Sequence, residues 1–182
     1  MSRIPTPAVD QAPAAAQPLL DAVKKQLGTV PNLFRIVANS PAALEAYLGF
    51  SGALGKGNLA AATRERIALA VAEFNGCEYC LSAHTYLGKN LAKLDDAEIT
   101  ANRSGASNDV RADAAVGFAA KLARGRGQVS DADVAAVKLA GYSDAEIVEI
   151  IAHVAINVFT NYVNEALKTE IDFPHVAARK AA

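Results

Sequence analysis

The sequence predicts an all-α fold on three observations. Apolar residues recur at helical spacing, beginning with Leu19, Leu20, Val23 and Leu27. No stretch alternates apolar and polar residues over a strand's length, and the β-branched residues are scattered among alanines. Three tetrapeptides, "DDAE" at 95–98, "SDAD" at 130–133 and "SDAE" at 143–146, set a capping oxygen three residues before an acid, which opens a helix. Roughly seven or eight helices joined by short loops suit the length.

Proline and alanine dominate residues 5–18, so residues 1–18 read as a flexible arm, loose or lying on a neighbouring subunit. One domain follows over 19–170, with a tail at 171–182. Its first helix stops at Gly28, and Pro31 and Pro41 then punctuate the chain. Pro41 suits the first turn of a helix that passes through Leu44, Tyr47 and Leu48 to the glycines at 55 and 57. The alanine-rich run "NLAAATRERIALAVAEFNG" ends at Asn75 and Gly76, a helix-stopping pair, and another helix runs from about Glu78 to Leu91.

Composition narrows the function classes. The 182 residues are 52% hydrophobic and 20% charged, as in ordinary globular proteins. A net charge of -1 gathers no phosphates, and no stretch interleaves basic and aromatic residues, so nucleic acid is not indicated. The first eighteen residues lack the continuous apolar core of a secretory signal. The most apolar stretch, "IVEIIAHVAINVF", is interrupted by Glu149, His153 and Asn157 and is too short for a membrane span. A cytoplasmic protein is expected, whose reducing surroundings favour an exchangeable dithiol.

Chemistry concentrates in "GCEYCLSAH", residues 76–84, which holds the chain's only two cysteines. A bridge between residues three apart closes too small a loop to stabilise the fold. On a helix turning about 100° per residue, Cys77, Cys80 and His84 fall within an arc of about 60°. Unpaired N–H groups at the start of this helix favour thiolate, with Cys77 nearest to them, and His84 can exchange a proton near neutral pH.

An acid completes the constellation if the chain reverses at Asn75 and Gly76. Glu65 then lies eleven residues before the bend and His84 eight beyond it, an axial offset of about 5 Å at about 1.5 Å per residue. Glu65 would orient His84 and stabilise its charged form. Glu73 is the competing acid, turned about 80° from Glu65 around the helix.

This combination resembles the AhpD-like alkylhydroperoxidases of the carboxymuconolactone decarboxylase superfamily. The resemblance is strongest over "RERIALAVAEFNGCEYCLSAHTYLGK", residues 64–89. It implies a multi-helical AhpD-like domain with a central antiparallel hairpin carrying the CxxC, assembled as a homo-oligomer, trimer or hexamer. It further implies a thiol-dependent peroxidase: Cys80 attacks a hydroperoxide, Cys77 resolves the sulfenic acid as a disulfide, and Glu65 and His84 relay protons. The implied reductant is a dithiol such as dihydrolipoamide, or a thioredoxin-like protein, with neither metal nor flavin required. Two positions depart from the family motif, with Tyr79 and Gly88 standing where histidines are expected. The decarboxylase branch is not marked by a CxxC, so that reaction is not expected.

Other readings stand beside these. The cysteines also fit a buried pair in the core, or three zinc ligands with His84, the fourth drawn from His153, His175 or an acid. Glu65 between Arg64 and Arg66 also fits a solvated charge cluster. His153, in an apolar helix, reads as a core or interface histidine, and Asn157, Asn161 and Asn164 share a helical side suited to hydrogen bonds between helices or subunits. Tyr79 fits either a cavity wall or plain packing. Aligning Glu65 with Glu146 sets Val158 and Asn161 where the cysteines stand, as a decayed duplication or as two unrelated helices.

Overall fold

A computed structural model describes residues 1–179. Those residues hold nine α-helices, one 3-10 turn at Val9–Gln11 and no strand. The helices are α1 Gln17–Leu27, α2 Asn32–Val37, α3 Pro41–Leu54, α4 Ala61–Phe74, α5 Glu78–Asn90, α6 Asp96–Arg103, α7 Val110–Arg124, α8 Asp131–Leu139 and α9 Asp144–Leu167. Two of them lacked a sequence signal. Helix α2 is a six-residue piece between Pro31 and Pro41, too short to show a period. Helix α7 has an N-cap, Asp109, that accepts from the Ala112 amide at 2.8 Å, but the third helical position holds alanine rather than an acid.

The three recognised start signals all cap helices. Ser130 and Ser143 form complete capping boxes with Asp133 and Glu146. Asp95 accepts from the Glu98 amide at 2.7 Å, but the Glu98 carboxylate turns away. It receives Arg66 Nε at 2.6 Å, Asn102 Nδ2 at 2.9 Å, Ser107 Oγ at 2.5 Å and the Asn108 amide at 2.8 Å. One carboxylate thereby ties α4, α6 and the loop after α6 together.

Helix α4 is the axis of the fold because its small side chains let neighbours approach closely. An unbroken run from Ile67 to Ala72 is buried, and the helix packs against α5, α6, α7 and α9. Leu69 and Ala72 join a core with both cysteines, Leu20, Ile36, Leu44 and Leu81. Ile67 and Val71 join a second core with Phe118, Leu122, Ile147 and Ile150. The site-bearing hairpin is therefore held from both faces.

The termini lie down on the domain. The arm over residues 1–18, expected to be loose or to lie on another subunit, is bonded to its own chain. Arg35 donates to the carbonyls of Pro7 and Thr6, both at 2.8 Å, Asn39 donates to that of Pro5, and the Arg3 amide reaches Leu167. Ala12 and Ala16 are buried. Backbone carbonyls in a proline-rich segment are unspent acceptors, and the side chains on α2 and after it use them. The tail over 171–179 runs back along α5, while the last three positions of the expected 171–182 tail lie outside the described residues.

Helix α9 is long and apolar enough, by length and composition, to cross a membrane. In the fold it packs along α3, α4, α5 and α7, and His153, Asn157, Thr160, Asn161 and Asn164 are buried on it. It runs unbroken where α4 and α5 bend, so the stretch aligned with the hairpin does not repeat its shape.

Candidate active site

The bend that makes the site is closed by backbone bonds. Gly76, at φ 65°, takes the left-handed conformation that any other residue would adopt under strain, and the Cys77 amide donates back to the Ala72 carbonyl at 2.9 Å. Cys77 caps α5, its sulfur accepting from the Cys80 amide at 3.4 Å. The two thiols therefore face each other across the first turn of a helix, Cys77 at 0% exposure and Cys80 at 3%.

The thiols are electrostatically unequal. A hydrogen bond from Cys77 pulls the Cys80 thiol down to about 6 against the opposing effect of burial, and the charge of His84 and the amides of Asn164 and Asn161 add to the pull. Asn164 Nδ2 donates to Cys80 Sγ at 3.3 Å. Cys77, which keeps the shared hydrogen and is sealed from solvent, is pushed far up. Proximity to the helix start favours Cys77 as thiolate, but the side chains from α9 and the next turn of α5 reverse that order.

Across the hairpin, His84 Nδ1 and Glu65 Oε2 meet at 2.8 Å, with both side chains about one-fifth exposed. Burial works against the imidazolium, but the charge and hydrogen bond of Glu65, with Cys80 adding to them, raise His84 above its ordinary value. The flanking charges are engaged elsewhere: Arg66 holds Glu98, and Arg64 Nη1 reaches the Leu54 carbonyl at 3.3 Å. Glu73 is turned off the site, bound to Arg103 at 2.5 Å and to the Arg179 amide at 2.7 Å.

The neighbouring side chains divide into several roles. His153 is buried, its Nε2 without a partner among the described residues, and burial lowers it to about 4, the nearby Arg64 adding to that effect. The Tyr79 hydroxyl accepts from the Leu33 amide at 3.0 Å and donates to Asp172 Oδ1 at 2.8 Å. Tyr79 also lines a cavity of about 420 Å³ with Gly76, Glu78, Asn164, Glu165 and Thr169. A Cβ at Gly88 would lie 3.3 Å from Leu94 Cδ1, close enough that the leucine side chain would have to yield. Asn157 Nδ2 donates to the His153 carbonyl within its own helix, whereas Asn161 Oδ1 accepts from Asn75 Nδ2 at 2.8 Å.

Sequence reasoning set aside two contributors. Asn164 was visible as part of the asparagine spacing on α9, but nothing in the chain says that α9 crosses the start of α5. Tyr47 on α3 stacks between Phe34 and Phe159, with ring centroids 5.7 and 5.9 Å away. It packs against the core that holds both cysteines, and burial raises its hydroxyl, the charges of Cys80 and Glu65 adding to the effect. Among the described residues no three His, Cys, Asp or Glu side chains gather as a metal site would need.

An all-helical scaffold with a dithiol at a helix start and a half-buried acid–histidine pair across the hairpin is an AhpD-like architecture. Residues 41–120 match the Carboxymuconolactone decarboxylase family, and the chain as a whole is similar to AhpD-like proteins of that superfamily. A peroxidase-related protein with an alkylhydroperoxidase AhpD core from Ralstonia eutropha JMP134 superposes with a TM-score of 0.83 at 27% identity, covering 94% of this chain and 92% of that one. A peroxidase-related protein from Silicibacter sp. TM1040 gives 0.81 at 27% identity over 93% and 91%. The debrominase Bmp8, solved also as a cysteine-to-alanine variant with 2,3,4-tribromopyrrole, shares the fold at a TM-score of 0.74 and 20% identity, covering 87% of this chain and 86% of the variant chain. No curated protein matches the sequence.

Proposed function

We propose that the chain is a thiol-dependent hydroperoxide reductase working through a reversible Cys77–Cys80 disulfide. The observation that carries this reading is the opposite perturbation of the two thiols beside the Glu65–His84 pair. A thiol lowered to about 6 is largely thiolate at neutral pH, the form that attacks a peroxide. The Cys80 thiolate attacks the terminal oxygen of R–O–OH: an S–O bond forms, the O–O bond breaks, and the departing alkoxide takes a proton from the His84 imidazolium. The Cys77 thiol then attacks the sulfenic sulfur, its proton leaving with the hydroxyl as water, and the disulfide forms. Glu65 keeps His84 protonated between turnovers.

A dithiol such as dihydrolipoamide, or a thioredoxin-like protein, returns the disulfide to thiols, and the low value of Cys80 makes it the better leaving group in that exchange. The same reading has the protein cytoplasmic and assembled as a trimer or hexamer. Exposed Val148, Ile151, Phe159 and Tyr162 along α9 support such an assembly. The peroxidase-related relatives at 27% identity support the reaction class.

Thiol titration before and after one equivalent of cumene hydroperoxide tests the proposal. Loss of two thiols per chain, with peptide mapping to a 77–80 disulfide, is the expected result; unconsumed thiols reject it. The near-complete burial of both sulfurs favours a second reading, a non-catalytic helical oligomer or redox sensor with an exchangeable dithiol. That reading predicts disulfide formation without turnover when reductant is supplied.

A further inference from the structure

Two carboxamides on successive turns of α9 converge on one sulfur, but they are not equivalent. Asn164, 2% exposed, spends its Nδ2 on Cys80 Sγ at 3.3 Å. Asn161, fully buried, is oriented from the other end. Its Oδ1 is taken by Asn75 Nδ2 at 2.8 Å, which turns the Nδ2 edge away from the bend, and that Nδ2 has no hydrogen-bond partner among the described residues. Thr160 Oγ1 at 4.0 Å and Asn164 Nδ2 at 3.3 Å, on either side of it along α9, both reach Cys80 Sγ, and the lowering of that thiol by Asn161 agrees with an edge turned toward the sulfur. A buried N–H donor without a partner carries a free-energy penalty unless some state of the protein supplies the acceptor.

We infer that Asn161 and Asn164 form an amide cradle for Cys80, in which Asn164 holds the thiolate and the free N–H of Asn161 binds the oxygen that the sulfur gains. The inference rests on the peroxidase reading and adds positioning residues to it. When the O–O bond breaks, the transferred oxygen stays on sulfur as Cys80–S–OH and acquires lone pairs in a nearly dry pocket. Asn161 Nδ2 is the donor placed to meet them. An N–H held in advance by Asn75 needs no reorientation as that oxygen arrives, the condition under which such a donor speeds a reaction most. The cradle also bears on which sulfur is oxidised first, since no comparable pair of amides contacts Cys77, whose sulfur accepts the Cys80 backbone amide.

The test compares two reactions of the same sulfur at pH 8, well above the value of about 6 for Cys80 in the parent, with the thiolate content of each variant read from its absorbance at 240 nm. Iodoacetamide makes an S–C bond and places no oxygen beside Asn161, whereas cumene hydroperoxide makes the S–O bond. In Asn161→Leu the hydroperoxide rate is expected to fall roughly tenfold and the alkylation rate less than twofold. Asn75→Ala, which removes the hold on the amide and leaves the cysteines untouched, is expected to lower the same ratio by a smaller factor. It serves as the test if Asn161→Leu does not fold. Equal falls in both rates, or an unchanged ratio in both variants, overturns the cradle. A parent chain no faster with hydroperoxide than a free thiol overturns the peroxidase reading, and the cradle with it.

Discussion

The carboxylate of Glu65 and the imidazole of His84 lie 2.8 Å apart although 19 positions separate them, because Gly76 reverses the chain between their helices. The pair is half-sheltered beside a sulfur that it polarises. Replacing Glu65 by Gln keeps the shape and removes the charge, so His84 should lose its raised value and Cys80 part of its ionisation. Single-turnover reaction with cumene hydroperoxide at pH 7 is expected to slow about 100-fold, in the range of general acid–base contributions. A change of less than threefold counts against the relay.

The pH dependence follows from the directions of the two shifts. Cys80 must be deprotonated, so the rate with hydroperoxide rises with pH through about 6. His84 must be protonated to supply the leaving alkoxide, so the rate falls again at a pH above the ordinary histidine value, to which Glu65 raises it. A bell-shaped profile is expected, and Glu65→Gln should draw its alkaline limb toward lower pH. A single rising limb that follows an unperturbed thiol contradicts this assignment.

Glu98 anchors the scaffold under the site. Its carboxylate is held at about 2 by four donors that outweigh the penalty of burial. Glu98→Ala leaves Arg66 and the Asn108 amide without their acceptor and is expected to destabilise the chain by roughly 3 kcal/mol in urea unfolding. The unfolded glutamate titrates near 4.3. Because the folded value is depressed, the contribution is present above about pH 4.3 and is lost as pH falls toward about 2. Equal acid sensitivity of parent and variant would remove Glu98 from this role.

Tyr79 occupies a position between the cysteines and links three segments through one hydroxyl. Tyr79→Phe leaves the Leu33 amide unpaired and leaves Asp172 held by the Asn32 amide alone, so stability should drop by about 1–3 kcal/mol. The segment after Thr169 should then be cut faster under limited proteolysis. Unchanged cleavage indicates that other bonds suffice, such as Ser82 to the Val176 amide at 2.9 Å.

The helical class and the hairpin were legible because they depend on local chemistry: caps at Ser130 and Ser143, and a left-handed residue at Gly76. The offset of Glu65 and His84 from that bend was enough to pair them. What the chain does not display is how distant elements cross. Asn164 reaches Cys80 only because α9 lies against the start of α5, and Tyr47 packs from α3 against the core that holds both cysteines. Helix α7, buried against α4, carried no reciprocal acid to mark its start. The proline-rich arm looked loose because its anchors, Arg35 and Asn39, belong to the segment around α2 rather than to the arm itself.

The central claim is the inequality of two thiols three positions apart, and thiolate absorbance at 240 nm across a pH titration of the reduced chain measures it directly. One thiolate per chain should appear with a midpoint near pH 6, and Cys80→Ser should abolish that step. Absence of any step below pH 8, or survival of the same step in Cys80→Ser, would contradict the account.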